Sequence, residues 1–347
     1  MTDVRHLVFK GPCELEWQET ADPRLSGPRD ALVRPIAVAR CDLDPAIALG
    51  LYPMKPSFAM GHEMVGEIVE LGDEVSGFDI GQRVIVPFQA SCGECAPCLR
   101  GHSNACSAVA SGTAFGLGPH GGLDLGGALA DLVLVPFADH MLLALPDGLD
   151  PIVAAGIPDN VSDGYRCVAE PLRAIPGAPV LVVGGLAPSV GLYAVSCGIA
   201  LGSERVVYID HDHDRLQLAT ALGAHAIEAP LDRLVDALGD ERFPITVDAC
   251  VLDPGRDLAL FATAPCGTCT SVSGGVSPRS ALPLQSMYLK GIRYEVSRVH
   301  ARATAPAVLD LVSSGLLNPG AIVTKVVLFD DAPEAMVEPA VKIVFVP

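Results

Sequence analysis

Four cysteines, Cys92, Cys95, Cys98 and Cys106, crowd into one short stretch, the first three separated by two residues and the last by seven. Zn2+ takes four tetrahedral ligands, and thiolates two residues apart wrap a single ion from a tight loop. Four sulfurs leave no open coordination position, so this set is expected to hold a lobe of chain together and to do no chemistry. His102 lies inside the lobe, but the sulfurs already complete the shell, so it is read as a solvent-facing residue.

A second pattern precedes it: Gly61-His62-Glu63, then Gly66, Gly72 and Val75, with Cys41 upstream. A third lies further along. Val180-Leu-Val-Val-Gly184-Gly185-Leu-Ala-Pro-Ser189-Val190-Gly191 follows a strand-like run and opens a helix-like one, the context of a dinucleotide fingerprint. Glycines let the backbone approach a pyrophosphate, and the helix N-terminus supplies N–H donors. The turn is about two residues longer than a plain G-x-G-x-x-G. Asp210 ends the next strand-like run, where an acidic side chain accepts from the adenosine ribose. A carboxylate there repels a 2′-phosphate and no arginine adjoins it in sequence, so NAD(H) is favoured over NADP(H). Arg215 is counted among the candidate cofactor contacts, though it lies far along for a phosphate ligand and a helix residue facing water is the alternative.

Together these motifs resemble the zinc-dependent alcohol dehydrogenases of the medium-chain dehydrogenase/reductase superfamily, over about residues 31–334. The resemblance implies a catalytic zinc held by Cys41, by His62 and by a third ligand five residues before the Gly164-Tyr165 pair. That position is Asp159, as in the branch that includes the formaldehyde dehydrogenases, where many relatives place Cys; Asp163 and Glu170 lie nearby as alternative carboxylates. It implies Glu63 as a transient ligand and Asp44 as the carboxylate that receives the second ring nitrogen of His62. It also implies Ser273 and Ile292 beside the nicotinamide and Arg298 as a pyrophosphate partner. One thiolate, one imidazole and one carboxylate leave a fourth position for substrate, whose oxygen the zinc polarises while hydride passes to or from nicotinamide.

The chain departs from the family in its proton relay. The Ser or Thr expected two residues after the Cys ligand is Leu43, and the usual His falls at Ala46; neither carries a proton. Ser162, Asp163 and His120 are the candidate substitutes. The leading expectation is an NAD(H)-dependent alcohol dehydrogenase or carbonyl reductase with two zincs per subunit. The alternatives are a same-fold reductase of C=N or conjugated C=C bonds, and a non-catalytic NAD-binding protein that keeps only the structural zinc.

Positioning these groups calls for two kinds of element. Short strands between Gly, Pro and Asp punctuation fill the first part, at residues 31–38, 65–71, 83–87 and 130–135. From about Asp150 β and α segments alternate: strands at 179–183, 205–209, 245–249 and 270–273, helices from Val190 and over 214–222. Cys266-Gly-Thr-Cys269 reads as a turn between strands with no redox role. A late helix carries Val308, Leu311, Val312 and Leu316, and residues 342–346 return to strand. The fold expected is a GroES-like β-barrel catalytic domain, residues 1–157 and 296–347, with a Rossmann doubly wound parallel sheet, residues 158–295, inserted in it and NAD in the cleft.

With 347 residues, two domains are the default. A formal charge of −18 argues against nucleic-acid binding, which needs a basic face. No run long and apolar enough to span a membrane and no signal peptide is read. Eleven cysteines, an odd number, fit a reduced, cytoplasmic protein better than a disulfide scaffold. The partners expected are a small-molecule alcohol or carbonyl and further copies of the chain, as homodimer or homotetramer.

Overall fold

A computed structural model describes residues 4–119 and 123–347; His120, named above as a relay candidate, lies outside them. The chain packs as two compact units. One comprises the residues up to Ser162 with His300–Ser313 and Val323–Pro347, and the other comprises Asp163–Val299 with Ser314–Ile322.

The first unit is built on the strand Ala31–Ala39, whose apolar side chains are buried on both faces. It pairs antiparallel with Glu63–Leu71 and with Ile343–Val346, and Val133–Val135 adds along its first half. Pro35 has no N–H to give, and the register slips between it and Ala37. Arg83–Val86 and Leu143–Ala144 extend the sheet on one side, and Lys325–Leu328 closes the other, parallel to Ile343–Val346. A smaller sheet joins Glu14–Thr20, Val4–Gly11 and Phe58–Ala59. Leu7, Phe9, Met60, Met64, Phe115 and Phe345 fill the core. Two consequences matter for chemistry. His62 and Glu63 stand at the start of a central strand, and the C-terminal strand brings Lys342 beside them.

The second unit is a six-stranded parallel sheet: Val180–Val183 (β1), Val206–Asp210 (β2), His225–Glu228 (β3), Phe243–Asp248 (β4), Thr263–Ser271 (β5) and Arg293–Val296 (β6). The order is β3-β2-β1-β4-β5-β6, the doubly wound arrangement with its topological switch between β1 and β4. β1 and β2 are buried throughout, as sheets covered on both faces require. Leu181, Val183, Val207, Phe243 and Leu258 lie in the core between sheet and helices.

Two expectations are corrected. Cys266 and Cys269 lie within β5, not in a turn; Cys266 is exposed with φ of +61° where the β4–β5 register shifts, and Cys269 is buried. The late helix is Ala301–Ser313, and Gly315 with φ of +75° separates it from Leu316.

Candidate active site

The lobe carrying the four cysteines contains only two short turns of helix, Ala96–Leu99 and Ser103–Ala105. The sulfurs of Cys92, Cys95, Cys98 and Cys106 lie within 4.8 Å of one another. Sulfurs about 2.3 Å from a tetrahedral zinc stand about 3.8 Å apart; Cys95 and Cys106 are 3.9 Å apart. The N–H groups of Cys92 and Ser107 point at Cys106 and Cys95, each at 3.4 Å. The backbone N–H groups of Cys98 and Ser107 pull Cys95 down to about 5, while burial pushes Cys98 up to about 12. His102 is exposed as expected, and its ring meets that of His300 at 5.0 Å between centroids.

A second donor cluster, Cys41, His62, Glu63 and Asp159, is buried, its ligand atoms likewise within 4.8 Å of one another. Each residue comes from a different device. Cys41 follows the central strand, and its N–H is bonded by the Asp44 carboxylate at 2.9 Å. His62 follows Gly61, whose φ of +89° and 2.8 Å clearance to the Leu129 nitrogen exclude a side chain. Asp159 sits in a π-helical turn, Ile157–Val161, a rare form that is frequent at functional sites.

The donor set fits zinc. The Cys41 sulfur lies 3.5 Å from Asp159 Oδ2, and His62 Nε2 lies 3.4 Å from the same oxygen. Sulfur–oxygen and nitrogen–oxygen edges of a tetrahedral zinc site come to about 3.5 and 3.4 Å. His62 Nδ1 faces Asp44 Oδ1 at 3.5 Å, and neither buried atom has a hydrogen-bond partner among the described residues. That is the pairing a histidine bound through Nε2 requires. Burial above all, then Asp159, Glu63 and Asp44, holds the Cys41 thiol well above its ordinary value. For His62 burial acts downward, but Asp44, Asp159 and Glu63 raise it to about 9. A divalent cation among these donors reverses that balance and stabilises thiolate, neutral imidazole and carboxylate together.

Three residues of this centre are invisible to motif reading. Lys342, fully buried, places Nζ 2.8 and 2.9 Å from the two oxygens of Glu63. Burial pulls Lys342 down, but the carboxylate against it holds it above its ordinary value; burial pushes Glu63 up to about 8, with Lys342 acting against that rise. Arg40, also buried, donates to the carbonyls of Ala335, Met336, Glu338 and Ala340 and pins the C-terminal segment that carries Lys342. Asn160 lies between Lys342 and the ligands. Of the other carboxylates considered, Glu170 is exposed and Asp163 is engaged by Arg166. Ser162 donates its hydroxyl to the Ile157 carbonyl at 2.7 Å. Leu43 packs against the core.

In the second unit the candidate nucleotide residues sit at the carboxyl ends of the parallel strands. Gly184 and Gly185 follow β1; Ser189, Val190 and Gly191 form the first turn of the helix Pro188–Ala200. The extra length of the turn is absorbed by backbone pairing, Leu186 N–H to the Cys250 carbonyl and Ala187 N–H to that of Ala249, both at 3.1 Å. A Cβ on Gly184 would fall 2.2 Å from Asp210 Oδ2 and 2.3 Å from the Tyr208 hydroxyl. Asp210 ends β2 and accepts from the N–H groups of His211 and Asp212, from Arg215 and from the Tyr208 hydroxyl at 2.6 Å. Arg215 is therefore not a residue facing water: one helical turn brings it back onto Asp210 at 2.9 Å and onto the Gly185 carbonyl at 2.6 Å. Ser273 lies past β5, where its carbonyl accepts from Ser271. Ile292 precedes β6 and packs on the core, and Arg298 lies beyond β6, exposed.

The first unit thus bears two donor sets suited to a metal ion, and the second a doubly wound sheet with a glycine turn. Residues 27–147 match the family model described as alcohol dehydrogenase GroES-like domain, and residues 189–314 the one described as zinc-binding dehydrogenase. The chain is 31% identical to a "probable zinc-binding alcohol dehydrogenase" of Mycobacterium tuberculosis, over 95% of this chain and 83% of that one. It is 31% identical to a glutathione-independent formaldehyde dehydrogenase of Pseudomonas aeruginosa, over 72% of this chain and 66% of the relative. The structure superimposes on an alcohol dehydrogenase from Thermus sp. ATN1 with a TM-score of 0.89, 30% identity and 99% coverage of both chains. The chain belongs to the zinc-dependent alcohol dehydrogenase family of the medium-chain dehydrogenase/reductase superfamily. It is accordingly a zinc-dependent oxidoreductase.

Proposed function

We propose that the protein is an alcohol dehydrogenase or carbonyl reductase whose catalytic zinc is held by Cys41, His62 and Asp159, with a second, closed zinc on Cys92, Cys95, Cys98 and Cys106. The observation that carries this reading is the buried donor set: the Cys41 sulfur and His62 Nε2 both stand at tetrahedral-edge distances from Asp159 Oδ2, with Glu63 beside them and bonded to Lys342. Bound there, zinc supplies the polarisation of the substrate oxygen during hydride transfer. The chain's own part is to fix three ligands, orient His62 through Asp44, and keep Glu63 in reserve. At the nucleotide site, Asp210 at the end of β2 supports NAD(H) in preference to NADP(H), and Arg215 holds that carboxylate in place.

Zinc content per chain, measured with NADH fluorescence titration, tests the reading. Wild type is expected to hold two zincs; Asp159→Ala is expected to hold one, with NADH binding kept and hydride transfer lost. One zinc in wild type, unchanged by Asp159→Ala, sinks the assignment and favours the non-catalytic alternative.

Leu43 and Ala46 at the relay positions favour a second reading, reduction of a C=N or conjugated C=C bond, with different proton demands. Product analysis with deuterated NADH separates the two. The gathering of four of the eleven cysteines at one metal-binding cluster supports a reducing, cytoplasmic location; no helix among the described residues is long and apolar enough to cross a membrane.

A further inference from the structure

Asn160 has no part in the reading above, yet its side chain lies between the ligands and the Glu63–Lys342 pair. In the turn Ile157–Val161 the N–H of Val161 reaches back to the Gly156 carbonyl at 3.0 Å, five residues away. This wide turn lets two consecutive side chains reach one sulfur: Asp159 Oδ2 lies 3.5 Å and Asn160 Nδ2 3.3 Å from Cys41 Sγ. The same nitrogen lies 3.0 Å from Asp159 Oδ2, and the amide oxygen accepts from Lys342 Nζ at 2.7 Å. Lys342 also donates to both oxygens of Glu63 and, at 2.8 Å, to the Arg40 carbonyl. These partners dictate which way the amide faces. Turned over, it would set its oxygen against a sulfur and a carboxylate, and its NH2 against an ammonium.

We propose that Asn160 is a positioning residue of the zinc centre, its NH2 group bonding two of the ligand atoms and its carbonyl tying Lys342 to the same pair. The proposal rests on Cys41 and Asp159 being zinc ligands. Two effects follow from one side chain. An N–H bond to a thiolate withdraws charge from the sulfur, so less is donated to the metal and its pull on a fourth ligand rises. The carbonyl fixes the ammonium on Glu63 and so keeps that carboxylate in its ion pair.

The test uses purified holoenzyme carrying Asn160→Leu, which fills the same space without polar atoms, and Asn160→Ala as a second variant. Zinc is withdrawn by chelator competition, with the four-cysteine zinc as internal reference. Partners of this kind fix the ligands' orientation and are worth about 10–100-fold in metal affinity, a loss that outweighs the stronger donation of the freed sulfur. One zinc should therefore be lost that much more readily from either variant, and the other as in wild type. With Co2+ exchanged into the weaker site, the thiolate-to-metal charge-transfer band should move to longer wavelength, because the sulfur is richer in charge. A side chain that only packs would not move that band in Asn160→Leu. Wild-type metal affinity and an unshifted band in Asn160→Leu overturn the proposal while leaving the zinc centre standing. A wild-type protein with one zinc overturns the centre and the proposal together.

Discussion

At the scale of single residues, the chemistry depends on charges the fold holds out of water. Lys342 and Glu63 are both fully buried and bonded to each other. Removing one member of such a pair leaves an uncompensated charge, which costs ~3–5 kcal/mol, whereas replacing both is often neutral. Lys342→Met should therefore lower stability by about that amount in urea denaturation, and Lys342→Met with Glu63→Gln should recover most of it. Equal losses in the single and the double variant would show that the pair is not the source. None of this was legible in the sequence. The contacts of Lys342 with Glu63 and Asn160 span 279 and 182 positions, and no local pattern encodes such a separation. Cys41, His62 and Asp44 were offered by the family resemblance, and the structure brings their side chains together. Arg215 was misjudged because it lies in the first turn of the helix His213–Ala221, which folds back so that the guanidinium meets Asp210 at the end of β2.

At the scale of elements, strands announced themselves through apolar runs, but their ends were displaced, most of all at Thr263–Ser271, which begins well before the expected residue 270. That shift hid Cys266 and Cys269, since a bulged strand rich in Gly, Pro and Thr looks like a turn. The metal lobe is the clearest case of an element without a core of its own. Between Cys92 and Thr113 the only buried residues are Cys92, Ser103, Cys106 and Thr113, and a lone bridge from Gln89 to Ala114 closes the base. With so little apolar burial the lobe's order must come from the ion, as in small zinc-dependent domains. Cys98→Ser is accordingly expected to drop the zinc content from two to one and to lower the melting temperature. Asp159→Ala should lose the same amount of metal with a smaller thermal penalty. The contrast is read by metal analysis and calorimetry on the two variants side by side. A Cys98→Ser protein that melts like wild type would refute the structural role.

At the scale of the whole molecule, the chain weaves its units together: residues 300–313 and 323–347 return to the first unit, and 314–322 pack with the second. The β-to-α/β change in texture near residue 150 made the two architectures legible. The destination of 314–322 was not, because a nine-residue segment carries no periodicity to assign it. A second whole-molecule prediction concerns association. β6 is an edge strand of the parallel sheet, and the helix Leu284–Lys290 leading into it exposes Tyr288 (84%) and Leu289 (76%). An unpaired edge beside exposed apolar side chains is a template for a second copy. Charge is consistent with this. In a chain of net charge −18, residues 284–296 carry Lys290 and Arg293 against Glu295 alone, so two such edges meet without the repulsion expected over most of the surface. The protein is therefore expected to sediment as a dimer or a multiple of it. Tyr288→Glu with Leu289→Glu should shift it toward monomer at micromolar concentration while both zincs stay bound. If the doubly substituted protein keeps the wild-type sedimentation coefficient, association uses another surface, and this edge must be protected in some other way.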